Sequence, residues 1–194
     1  MKHLKNNIIV AIDIETTGVR PGFHDIIQIA IVPLDNSLKP IGTPFYTNIK
    51  PDHPERTEVQ ALVINGLTLE ELNDAPGKER VADELAEWFE TLHLSVGGRL
   101  IPLSHNFVFE NSFLKVWLGC AEMDRIFHYL PRDAMIHALA LNDAAALRGE
   151  EIPYKSVGLK ELCQQFGIIN TKPHDALADS IAEAQVYKAL LAAR

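Results

Sequence analysis

Residues 8–12 read Ile-Ile-Val-Ala-Ile without a polar interruption, the pattern of a strand buried on both faces. Asp13 and Glu15 follow two apart, so both point to one side of that strand just before Thr16-Thr17-Gly18 turns the chain. Two further strands are predicted over 26–34 and 43–49, joined by short, turn-rich connections that favour antiparallel neighbours. Pro33 marks the place where the second strand ends or runs at an edge. From residue 58 the period becomes helical. A short helix over 58–64 is broken by Asn65-Gly66 and restarts over 68–72 behind the capping pattern Thr68-Leu69-Glu70-Glu71. A longer helix over 77–94 places Val81, Leu85, Trp88, Phe89 and Leu92 on its apolar side.

The second half of the chain predicts a fourth strand over 99–104 and a helix over 107–118 ended by Gly119. A short strand over 126–129 follows, then a helix over 133–147, a polar loop over 149–155, and helices over 156–166 and 175–192. No repeat, linker or low-complexity segment divides it, so residues 1–194 are expected to form one α/β domain.

Composition narrows the classes. With 194 residues, 47% hydrophobic and 23% charged, the chain suits one soluble domain with a sizeable core. No apolar run approaches the roughly 20 residues that span a bilayer. The basic start over 1–7 precedes a strand too short and too acidic for a signal peptide. Cys120 and Cys163 lie far apart and are expected to be buried free thiols in a reducing cytoplasm rather than a single disulfide. A net charge of −8 argues against coating long duplexes, yet it leaves room for an enzyme that grips a strand end. Bound cations would neutralise several of the acids.

Two acids adjacent on one face of a buried strand repel each other and are costly to desolvate, unless a divalent cation lies between them. Two later clusters hold matching chemistry. Asn106 and Glu110 share a helix face at a strand-to-helix junction, where Phe109, Phe113 and Leu114 anchor the helix. Asn106 suits either an N-cap or a substrate contact, and His105 reads as structural. In Pro173-His174-Asp175-Ala176-Leu177-Ala178-Asp179, Asp175 is well placed as an N-cap, which leaves His174 in the approach and Asp179 on the helix. Asp133 reads as another N-cap, and Trp88 and Trp117 as core.

Taken together, Asp13-Ile14-Glu15-Thr16-Thr17-Gly18, His105-Asn106-x-x-Phe109-Glu110-x-x-Phe113-Leu114 and His174-Asp175-Ala176-Leu177-x-Asp179 resemble the DEDDh exonucleases. That family acts 3′-to-5′ on a ribonuclease H-like fold and includes polymerase proofreading subunits and ribonuclease T. Residues 61–68 and 158–163 resemble two of its other segments. The resemblance implies a mixed sheet of about five strands, the first three antiparallel, flanked by helices. It also implies two magnesium ions, with manganese able to substitute. Asp13 would bridge both ions, Glu15 and Asp179 would complete the first site, Glu110 would support the second, and His174 would be the general base. Thr16, Thr17 and Gly18 resemble contacts to the terminal sugar, Leu67 an apolar wedge against the last base, and Asn106 a substrate contact.

The chain departs from the family pattern in two places. Glu110 stands where Asp is usual, which moves the carboxylate by about 1.5 Å, and Asn65 stands where His is frequent. The expected activity is hydrolysis of single-stranded DNA or RNA from the 3′ end, releasing nucleoside 5′-monophosphates. A weakly catalytic 3′-end-binding module is the alternative, and it rests on Glu110 alone. Either a homodimer or a polymerase partner is compatible with the resemblance.

Overall fold

The computed structural model describes residue 4 and residues 6–193; the basic start over 1–7 therefore lies partly outside the described residues. β1 (Ile8–Thr16) runs between β2 (Ile26–Pro33), paired antiparallel, and β4 (Leu100–Ser104), paired parallel. β3 (Phe45–Asn48) extends the sheet antiparallel beyond β2, and the two-residue β5 (Arg132–Asp133) pairs parallel with β4. The order β3-β2-β1-β4-β5 is the five-stranded mixed sheet expected, with its first three strands antiparallel.

The helices are α1 (Val59–Asn65), α2 (Leu69–Asn73), α3 (Lys78–Thr91), α4 (Phe107–Ile126), α5 (Ala134–Leu147), α6 (Leu159–Phe166) and α7 (Ala176–Ala192). The pleat of β1 sorts its side chains between two layers. Val10, Ile12 and Ile14 join a core with Val81, Leu85 and Phe89 of α3 and Phe113 and Leu114 of α4. Ile9 and Ala11 face the other way, into a cluster with Ala184, Leu177 and Tyr187 of α7. Asp13 and Glu15 continue that second register, so the acids emerge on the side covered by α7. Trp88 and Trp117 pack against the first core, and each donates its indole N–H at 3.0 Å, to the Thr43 and Lys78 carbonyls.

Four details differ from the expectations. The helix after β4 does not end at Gly119; it continues to Ile126 across a kink where Gly119 takes φ 76° and ψ 161°. Glycine reaches that backbone without a Cβ penalty, so the helix bends rather than stops. Residues 126–129 are consequently not a strand, and only a single bridge joins Phe127 to Leu100. The fifth strand falls at Arg132–Asp133 instead. Pro33 ends β2, the first of the two expectations for it, and β2 lies inside the sheet. Both cysteines are free as expected, although Cys120 is exposed and only Cys163 is buried. Among the described residues, no helix is long and apolar enough to cross a membrane.

Candidate active site

Pairing of β1 with β4 stops at Ala11, so Asp13 and Glu15 project beyond the point where β4 turns into α4. This is a crevice at the carboxyl ends of neighbouring parallel strands, where open α/β sheets hold ligands. Three elements converge on it: the end of β1, the first turn of α4 with Glu110, and the first turns of α7 with Asp179. Asp133 secures the start of α4. Its carboxylate accepts the Phe107 N–H at 2.8 Å and the Asn106 N–H at 3.3 Å, while also capping α5 through the Ile136 N–H at 3.0 Å. Asn106 therefore occupies the N-cap position of α4, at φ 80°, but its side chain makes no capping bond.

The start of α7 is fastened to the sheet by polar side chains buried among apolar ones. Gln28 of β2 accepts the Ala176 N–H at 2.8 Å and donates to Asn48 and Tyr46. The Tyr46 hydroxyl in turn donates to Asp175 at 2.8 Å, Lys172 donates to the same oxygen at 2.7 Å, and the other Asp175 oxygen caps Ala178. Burial works to raise the Asp175 carboxyl, but those partners hold it below the usual carboxylate range. Asp175 is thus the cap expected of it, with both oxygens engaged. Asp175→Ala is expected to destabilise the protein by about 2 kcal/mol, read as a lowered urea midpoint with an unchanged slope.

Asp179 accepts the His174 backbone N–H at 3.0 Å on one oxygen and the Asn170 side-chain amide on the other. His174 is exposed and sits at φ 63°, in the left-handed region. Glu15, His174 and Asp179 offer ligand atoms that all lie within 4.8 Å of one another. Behind them, Asp13 Oδ2 and Glu110 Oε2 are shielded from solvent and have no hydrogen-bond partner. Desolvation pushes Asp13 well above the usual range, and the charges of Glu15, Glu110 and Asp179 push the same way. Burial raises Glu110 to about 8, only partly offset by its own backbone N–H and the Ser104 hydroxyl. Glu15 is also raised to about 8, by desolvation and then by Asp179 and Asp175. Orphaned, shielded carboxylate oxygens, one of them under the charge of the other acid, are the donor type a hard divalent cation takes.

A pH dependence follows. Glu15 and Glu110 hold their protons up to about 8 in the folded, metal-free chain but release them near 4.5 when unfolded. Between those values the folded state binds more protons at these two groups, so their contribution to stability is fully present below pH 4.5 and is lost as pH rises to about 8. Melting in a chelator is expected to show this fall as a melting temperature that drops between pH 4.5 and about 8. Added divalent metal should flatten it.

The residues expected to contact substrate separate. Thr16 and Gly18 line a cleft of about 280 Å³ beside Glu15, opposite Ala61, Ile64 and Asn65 of α1. A Cβ on Gly18 would lie 2.4 Å from the buried His24 ring, so only glycine permits this close approach. Thr17 is fully buried behind the cleft, with its N–H, carbonyl and hydroxyl oxygen bonded to Asp25 and Glu58. It supports the turn and does not line the cleft. Leu67 is half-buried and does not line the cleft either, whereas Ile64 does. Asn65 accepts the Leu67 N–H at 3.1 Å and so holds the turn between α1 and α2.

One acid was missed by sequence reasoning. Glu183 of α7 is buried at 2% exposure, and its Oε2 has no hydrogen-bond partner. Its only signal in the sequence is its position four residues after Asp179.

A model of the RNase_T exonuclease family matches residues 10–187. Ribonuclease T of Baumannia cicadellinicola subsp. Homalodisca coagulata is 30% identical over 190 residues, covering 92% of this chain and 80% of that protein. PolC-type DNA polymerase III of Staphylococcus epidermidis is 27% identical over 186 residues, 96% of this chain but 11% of the polymerase. Among solved structures, E. coli exonuclease I in complex with a dT13 oligonucleotide superposes with a TM-score of 0.74 at 22% identity, covering 95% of this chain and 41% of that one. A 3′-exonuclease that recognises a histone mRNA stem-loop gives 0.70 at 17% identity, covering 95% and 63%.

The fold is thus the ribonuclease H-like architecture of the exonucleases. The chain belongs to the RNase_T exonuclease family. It spans about a tenth of the length of the PolC-type relatives that it matches.

Proposed function

We propose that this chain is a 3′-to-5′ exonuclease that hydrolyses single-stranded DNA or RNA from the 3′ end and releases nucleoside 5′-monophosphates. The observation that carries the reading is the set of shielded, unpartnered oxygens on Asp13 and Glu110 beside the Glu15–His174–Asp179 group. The proposed cofactors are two magnesium ions, replaceable by manganese, which when bound stabilise the attacking and leaving oxygens at phosphorus. Asp13 would serve both ions, Glu15 and Asp179 the first, and Glu110 the second.

His174 accepts a proton from the water that attacks phosphorus, and the bond from phosphorus to the 3′ oxygen of the preceding nucleotide breaks, that oxygen taking a proton from solvent to become the new 3′ hydroxyl. An imidazole is suited to that task near neutral pH. Asp179 fixes the base in place through the His174 backbone N–H. Thr16 and Gly18 offer the cleft wall for the terminal sugar, with Thr17 holding their turn. Ile64 and Val63, 49% and 75% exposed, offer apolar surface to the last base, with Leu67 in the turn just beyond them. Asn106 has a side chain not used for capping and stands at the start of the helix that carries Glu110.

Residues 1–194 are proposed to act as one exonuclease domain, because the site draws on both β1 and α7. Two free cysteines fit a cytoplasmic setting. The test is digestion of single strands labelled at either end, DNA and RNA in parallel, with magnesium, with manganese and with a chelator. Metal-dependent shortening from the 3′ end supports the reading. Shortening from the 5′ end, or tight end binding without turnover, contradicts it.

A further inference from the structure

Glu183 stands one helical turn beyond Asp179 and so projects from the same face of α7. Its surroundings on that helix are core: Ala182, Ala184 and Val186 are all buried. A carboxylate enclosed in this way ordinarily meets a cation or several donors, because an isolated buried anion is costly. Glu183 has one backbone N–H, that of His105, in support, and its Oε2 has no partner. What faces it instead is negative: the charges of Asp13, Glu110 and Asp179 all act on it. Three acids from three different elements, β1, α4 and α7, therefore converge on a fourth whose free oxygen is shielded from water. Asp13 Oδ2 and Glu110 Oε2 share that condition.

We propose that Glu183 is a fifth carboxylate of the ion-holding set, joining Asp13 and Glu110 in holding the second ion. The assignment rests on the two-ion reading above and extends it to a residue outside the motifs. It also gives Glu110 a partner at its own end of the site. Asp179 and Glu183 then divide α7 between the two ions, Asp179 beside Glu15 and His174, Glu183 one turn deeper.

The test is a manganese titration of the metal-free chain, followed by calorimetry and by the spin-resonance signal of free manganese, with no nucleic acid present. The wild type is expected to bind two ions. Glu183→Gln keeps the side-chain volume and an oxygen to accept the His105 N–H, and it removes only the charge. It is expected to weaken the second ion at least about 10-fold, the loss seen when even an outer partner of a metal is removed, with the first ion little changed. Two ions at wild-type affinities in a folded Glu183→Gln chain would overturn the assignment and leave Glu183 as a brace for the loop at His105. Should that chain fail to fold, Glu183→Met fills the same space without a ligand oxygen, and the same two outcomes decide. A wild type that binds no manganese would instead count against the two-ion reading, and this assignment with it.

Discussion

Asp13→Asn is expected to lower hydrolysis of a single-stranded oligonucleotide by about 10³-fold or more. The substitution keeps shape and volume but removes the charge on which Glu15, Glu110, Asp179 and Glu183 all act. Charge stabilisation at phosphorus worth about 4 kcal/mol corresponds to that factor. Above about pH 8, where Glu15 and Glu110 lose their protons, the same substitution is expected to raise the melting temperature of the metal-free protein, because it relieves a shielded, unpartnered carboxylate among like charges. The two effects have opposite sign, which separates a functional acid from a structural one. A structural Asp13 would lose stability and activity together. Steady-state digestion and melting in a chelator check the pair.

His174→Ala is expected to reduce the rate about 10²- to 10⁴-fold, the usual contribution of a positioned general base. Its stability effect is expected to be small, since the side chain is exposed. Manganese binding should persist in the variant, because the shielded ligand atoms are carboxylate oxygens. The residual rate is expected to climb with pH as hydroxide takes over from the missing base. A variant that loses metal together with activity would make His174 a ligand, which its position near Glu15 and Asp179 also permits geometrically.

Much of this site could be read from residue order alone. The period of two along β1 places Asp13 and Glu15 together, and the period of a helix places Asp175 as cap and Asp179 inside. These are local rules, and local spacing states them fully. The misreadings came where tertiary contacts override local signals. Gly119 reads as a helix stop, but the segment beyond it is drawn back into the core through Met123 and Ile126, so the helix bends and continues. Those extra residues, about two turns of helix, shift the fifth strand to Arg132–Asp133, two residues that no propensity rule would select.

Burial of single polar residues is equally hard to read. Gln28 lies within an apolar strand and proves to be the peg that holds the start of α7. Glu183 lies in an alanine-rich helix and resembles a solvated position, yet it is enclosed. Thr17 sits in the motif but is withdrawn behind it, because its hydrogen bonds to Asp25 and Glu58 are what shape the turn. Spacing fixes direction along one element, whereas depth is decided by what packs over it.

The central claim is that the acids of β1, α4 and α7 form one site for two divalent ions. Crystals of the chain grown with manganese and a nucleoside 5′-monophosphate test it most directly, through the anomalous scattering of the metal. The account predicts two peaks, one among Asp13, Glu15 and Asp179 and one on the Glu110 side of Asp13. A single peak, or none at these carboxylates with the nucleotide in place, would contradict it.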